Sequence, residues 1–109
     1  MASESLAEFE LLVMLAAVRL GPEQAYTVSI ADEIERRTGR AVRRANVFTV
    51  LSRLEDKGLV STHLGESRAE RGGRPPRLVQ VTSPGLRAIR ATTEAIRVMS
   101  AGLVLGEAR

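Results

Sequence analysis

Cysteine and tryptophan are absent from this 109-residue chain, histidine occurs once (His63), and Phe9, Tyr26 and Phe48 are its three aromatic residues. Without cysteine there is no disulfide, no thiolate metal site and no thiol nucleophile. A lone histidine leaves a His-cluster metal site or a triad incomplete unless another chain contributes. So few rings imply an aliphatic core and argue against a platform that stacks single-stranded bases. Long apolar runs are also missing. Leu11–Val18 has eight residues, whereas a membrane span needs about 20 and a secretory signal needs a basic start. The expectation is a soluble, cytoplasmic protein with no membrane partner. No glycine-rich phosphate loop follows a strand and no paired carboxylates share a supported face, so neither an enzyme nor a cofactor is expected.

Lysine is nearly absent too. Fifteen of the sixteen cations are arginine, the side chain suited to bidentate phosphate and guanine contacts, although GC-rich coding also raises arginine content. The net charge of +3 is unevenly spread: residues 1–39 carry −4 and residues 40–97 carry +7. An acidic first third followed by a basic remainder suggests a polyanion partner on one face. With 44% apolar and 27% charged residues, the chain has the composition of one folded domain.

Hydrophobic spacing predicts a helix over 5–20, in which Leu6, Phe9, Val13, Ala16 and Leu20 form a stripe and Leu11, Met14, Leu15 and Val18 cover much of the rest. A helix apolar nearly all round is buried on more than one side, here by its own core and by a second subunit. Gly21-Pro22 ends it. A second helix is predicted over 28–38, with Thr27 or Ser29 accepting from its first amides and Gly39 closing it. A third is predicted over 45–57, with Val47, Phe48, Leu51 and Leu54 as its apolar face and Gly58 as its stop. Leu59–Leu64 and Arg77–Thr82 alternate as half-buried strands do. The intervening Gly65–Pro76 (GESRAERGGRPP) is too long for a tight turn and reads as an extended basic loop. Ser83-Pro84-Gly85 opens a last helix of about 20 residues. Its Leu86, Ile89, Ile96, Met99 and Leu103 form a coiled-coil-like seam that needs a partner.

Three helices, a hairpin and a long helix make a mainly α chain with a small β-hairpin, the order of a winged helix-turn-helix with a C-terminal dimerisation helix. The third helix would enter a major groove, and the hairpin loop, or wing, would lie along the flanking backbone or minor groove. By this reading residues 1–82 form the DNA-binding domain, with the first helix also at the dimer interface. Residues 83–109 form the dimerisation helix of the same compact unit.

The stretch NVFTVLSRLEDKGLV, Asn46–Val60, closely resembles the recognition-helix signature of the PadR family of bacterial transcriptional regulators. In that signature a Leu-Tyr pair leads into Leu, then Arg-Leu-Glu, then Lys-Gly-Leu-Val. Val47 and Phe48 stand at the Leu-Tyr positions, and Leu51, Arg53, Leu54, Glu55, Lys57, Gly58, Leu59 and Val60 match directly. Gln80–Gly85 is similar to the family's Leu-Thr-x-x-Gly junction between wing and last helix, and Ala25–Ile34 matches more loosely. Thr27-Val28, Phe48 and Leu78-Val79 depart from the family's Gly-Tyr, tyrosine and aromatic pair without breaking the apolar pattern. The resemblance spans about residues 6–100 and fits the short branch with a single dimerisation helix. It implies a homodimeric DNA-binding repressor that acts near its own gene and is released by a small-molecule effector, here placed at the dimer interface.

Within that frame, Arg43 and Arg44 are expected to contact phosphates or base edges at the mouth of the third helix. Asn46, Thr49 and Ser52 are the base-reading candidates. Arg53 matches a family arginine, but an ion pair with Glu33 or Glu35 would also account for it. Arg68, Arg71, Arg74 and Arg77 are the basic wing positions, and Arg71-Gly72-Gly73-Arg74-Pro75 is a partial match to a minor-groove Gly-Arg-Pro hook. Leu6, Phe9, Val13, Leu86, Ile89, Ile96, Met99 and Leu103 are the expected dimer contacts. His63 has no special role. A winged-helix protein-interaction module that does not bind DNA is the alternative, and a metal-sensing winged helix lacks its ligands.

Overall fold

The computed structural model describes residues 5–66 and 75–106. Its helices stop where the glycines stand. α1 (Glu8–Leu20) ends at Gly21, φ 85°. α2 (Thr27–Thr38) ends at Gly39, φ 74°, and α3 (Arg44–Asp56) ends at Lys57 just before Gly58, φ 75°. A hairpin of β1 (Val60–Leu64) and β2 (Arg77–Val81) follows, and then α4 (Ser83–Ser100). The strands are antiparallel, with Val60 opposite Val81 and Leu64 opposite Arg77. A third backbone segment supports them, because the Val79 N–H donates to the Ala25 carbonyl at 2.8 Å. Four helices and one two-stranded hairpin give the expected mainly α winged-helix class.

α1 is the centre of the core. Its Leu11, Val13, Met14, Ala16 and Ala17 are buried, and it packs on α2, α3, α4 and β2. That explains its nearly continuous apolar surface: four elements of its own chain surround it. Leu12, Leu15 and Leu20 lie half-buried at the same core, while Val18 is exposed.

Three expectations need correction. Phe48 does not join the apolar face of α3. Val47, Val50, Leu51 and Leu54 face the core, and Phe48 is turned about 100° from Val47, as one residue step on a helix requires. It is 59% exposed. The strands also do not alternate strictly. Leu78 and Val79 are both buried, and Leu64 is exposed; β2 packs on α1, and the Leu78 side chain lies against Gly65. Finally, α4 stops at Ser100. Gly102 adopts φ 79°, so Leu103 lies beyond the helix rather than on its seam.

The junction into α4 is tightly built. Thr82 caps the helix by accepting from the Gly85 N–H at 3.1 Å, as a threonine N-cap does. The same hydroxyl donates to the Gly58 carbonyl at 2.7 Å, and the Thr82 N–H donates to the Leu59 carbonyl. A Cβ on Gly85 would stand 2.1 Å from that carbonyl oxygen and 2.8 Å from Val81. Glycine is required there by close approach, since its φ is not positive.

Candidate nucleic-acid interface

The four buried residues of α3 anchor it to α1, α2 and β1, so its outer face is held on a rigid element. Asn46, Thr49, Ser52, Arg53 and Asp56 are all exposed there, with Phe48 on one flank. The Thr49 hydroxyl donates to the Ala45 carbonyl at 3.0 Å, which turns its oxygen lone pairs and methyl outward. Arg43 is the N-cap and Arg44 the first helical residue, both exposed, and neither an acidic residue nor a side-chain cap neutralises that end of the helix. Its free amides and the two guanidiniums therefore add in sign.

Neighbouring cations are neutralised within the chain. Arg40 forms a two-pronged pair with Glu8, at 3.0 and 3.1 Å, and Lys57 lies 3.6 Å from Glu10. Arg36 and Arg37 both hold the Glu33 carboxylate, Arg36 at 2.7 Å. These hydrogen bonds keep the Glu8 and Glu33 carboxyls below their ordinary value, and Arg97 does the same to Glu94. Among the described residues, Arg43, Arg44 and Arg53 take part in no such pair. The ion pair with Glu33 or Glu35 offered as an account of Arg53 is not formed, and Glu33 is instead occupied by α2's own arginines. Arg77 donates to the Thr62 hydroxyl at 3.3 Å, and that hydroxyl donates to Glu55. The base of the wing is thus tied to α3. Arg68, Arg71 and Arg74 lie outside the described residues.

The expected dimer contacts fall into two groups. Leu6, Val13 and Ile89 lie in the chain's own core, with Phe9 half-buried against it. The Leu6 N–H donates to the Thr92 hydroxyl at 3.1 Å, fixing the chain before α1 to the middle of α4. Leu86, Ile96, Met99 and Leu103 are exposed, Met99 by 78%, and Val98 joins them. Sequence reasoning missed Val98, which is off the three-and-four spacing, and it placed Phe48 indoors.

A model of the transcriptional regulator PadR-like family matches residues 14–91. The chain belongs to that family. The match runs from the middle of α1 through α3 and the hairpin into α4. Among solved structures, the chain is similar to a PadR family transcriptional regulator from Eggerthella lenta. The two are 25% identical with a TM-score of 0.67, over 87% of this chain and 81% of that one. A PadR-like transcriptional regulator from Bacillus cereus shares the fold at 16% identity and a TM-score of 0.66, over 83% and 84% of the two chains. So does Bordetella bronchiseptica BpsR, whose structure addresses regulation of its DNA binding by 6-hydroxynicotinic acid. It is 18% identical with a TM-score of 0.61, over 95% of this chain and 72% of that one. No curated protein sequence matches. The PadR-like chain is thus a member of a family of transcriptional regulators rather than of enzymes. No helix among its described residues is long and apolar enough to cross a membrane.

Proposed function

We propose that this PadR-like chain binds double-stranded DNA as a homodimer and represses transcription from a palindromic operator. The observation that carries the reading is the unpaired set Arg43, Arg44 and Arg53 around Asn46, Thr49 and Ser52. They stand on a packed helix, where the nearby Arg36, Arg37, Arg40 and Lys57 each lie against an acidic residue of the same chain. Guanidiniums at the helix mouth position the helix on phosphates, and short polar groups on a rigid face read base edges. The basic wing, Arg68, Arg71, Arg74 and Arg77, adds phosphate contacts beside it.

The proposed dimer rests on the distal part of α4, where Ile96, Val98 and Met99 stand exposed and are left uncovered by the described residues. Leu86 and Val18 border a small apolar recess of about 190 Å³ between α1, β2 and α4, against which a second α4 would fit. An effector fits the reading at that same boundary. One protomer's recess is smaller than pockets that enclose a drug-sized ligand, roughly 300–1,000 Å³, so the second copy would have to complete it.

The test is a fluorescence-polarisation titration of random duplex and of duplex from upstream of the chain's own gene, between roughly 50 and 200 mM salt. Binding that weakens steeply with salt and favours the upstream duplex is expected. A protein-interaction module would show no salt-dependent binding to either.

A further inference from the structure

Phe48 is the one large apolar side chain of α3 exposed to solvent. The chain has three aromatic residues, and the other two, Phe9 and Tyr26, are half-buried. Its sequence neighbour Val47 is fully buried, as is Leu54, while Val50 and Leu51 are nearly so. The helix has no rotational slack by which it could turn the ring inward. The ring therefore stays in water, at a cost, wherever α3 is unliganded.

Its place on the helix says what would cover it. Phe48 lies one turn after Arg44 and one turn before Ser52, residues that share its side of the helix at i−4 and i+4, and it adjoins Thr49. A surface that meets those polar groups also meets the ring. The ring has neither donor nor acceptor, so it discriminates only by apolar contact. Among the groups that base pairs present in the major groove, the apolar one is the thymine 5-methyl. The exposed apolar residues of the proposed dimer surface stand on a different element, α4, which packs on α1.

We infer that Phe48 is a specificity-determining residue of α3 that packs on a thymine 5-methyl group in each half-site. The inference rests on the double-stranded DNA reading above and adds to it a residue and a base. It assigns the operator a required thymine that hydrogen-bonding residues alone would not impose.

Deoxyuridine tests it, because it pairs as thymidine does and lacks only the methyl. The wild-type protein first selects its site from a random duplex pool, and each thymine of that site is then replaced singly by deoxyuridine. One thymine per half-site should weaken binding about fourfold on replacement, the size of burying a single methyl group. Phe48→Ala should bind the thymidine and deoxyuridine duplexes equally with an unchanged salt slope. Phe48→Leu should keep part of the preference. Circular dichroism should report wild-type helicity for both variants, since the side chain is outside the core. A site with no methyl-sensitive thymine, or a Phe48→Ala protein that keeps the preference, overturns the inference while leaving DNA binding intact. Failure to select any duplex overturns the DNA reading itself, and the inference with it.

Discussion

On α3 the exposed side chains are those of Arg44, Asn46, Thr49, Ser52 and Arg53 with Phe48 and Ala45, and Glu55 and Asp56 close its C-terminal end. On the distal half of α4 they include Ile96, Val98 and Met99, beside the self-paired Glu94 and Arg97. The α3 surface is short and polar, and cationic at its N-terminal mouth, whereas the distal part of α4, exposed from Thr93 onward, carries aliphatic side chains. The difference shows how little of an exposed helix is generic. An aliphatic stripe in water is costly and calls for a like surface. Unpaired guanidiniums beside short polar groups are stable in water and call for an anion with readable edges. Arg19, Arg87 and Arg90 are also in no ion pair among the described residues, but they stand on α1 and α4 rather than at the mouth of α3.

The largest expected effect breaks the α4 surface. Ile96→Asp would place an unpaired carboxylate in the proposed contact and should cost about 3–5 kcal/mol of dimer stability. Light scattering at micromolar concentration should then report half the wild-type mass, while circular dichroism stays unchanged. Next comes the frame that both surfaces share. Gly85→Ala drives a methyl into the Leu59 carbonyl and should lower stability by about 2–3 kcal/mol. A urea melt checks this, and in contrast to Ile96→Asp the loss should appear in the folded monomer itself.

Two substitutions on α3 sharpen its side of the comparison. Asn46→Ala should lower the ratio of specific to random affinity by roughly 1–3 kcal/mol and leave the salt slope alone. Arg43→Ala should weaken both affinities alike and flatten the log–log salt slope by about 0.9 for each phosphate no longer neutralised. Paired titrations at several salt concentrations separate the two outcomes. An exchange of these behaviours would reverse the roles assigned to the two residues.

The smallest effect concerns pH. The carboxyls of Glu8, Glu33 and Glu94 are held below their ordinary value of 4.5 by their arginine partners. Their contribution is therefore fully present above that value and is lost as pH falls through their lowered folded-state values. Thermal melts should be flat from neutrality to about pH 5 and decline below it. Glu33→Gln should reduce the steepness of that decline.

Much of the architecture was legible because its punctuation is local. Gly21, Gly39 and Gly58 stop helices by their own backbone freedom, and the alternating runs on either side of Gly65–Pro76 mark the hairpin. What was not legible depends on how many neighbours surround an element. Leu6 and Val13 read as surface for a second chain because an all-round apolar first helix looks two-sided, and Ile89 because it falls on the coiled-coil-like seam of the last helix. The structure encloses α1 with four elements of the same chain. Phe48 read as core because it adjoins Val47 in the apolar pattern, whereas the inward arc of α3 is filled by Val47, Val50, Leu51 and Leu54. Val50, absent from the predicted face, takes its place. The basic face of α3 was legible in residue types but not in charge state. The pairing of Arg36, Arg37, Arg40 and Lys57 with acidic partners removes those four, and the position of Arg43, Arg44 and Arg53 on α3 separates them from the other unpaired arginines.

Thr82 has a mechanical consequence. One hydroxyl holds the Gly58 carbonyl just past α3 and the Gly85 amide in the first turn of α4, so the direction in which α4 departs is geared to the helix before it. An α4 of 18 residues is a lever roughly 27 Å long, on which a tilt of about 5° displaces the far end by roughly 2 Å. With that far end clamped in a dimer, the lever runs in reverse. In the proposed dimer a small wedge between two α4 helices would become a change in the distance between two α3 helices, of which a duplex of fixed pitch would tolerate little.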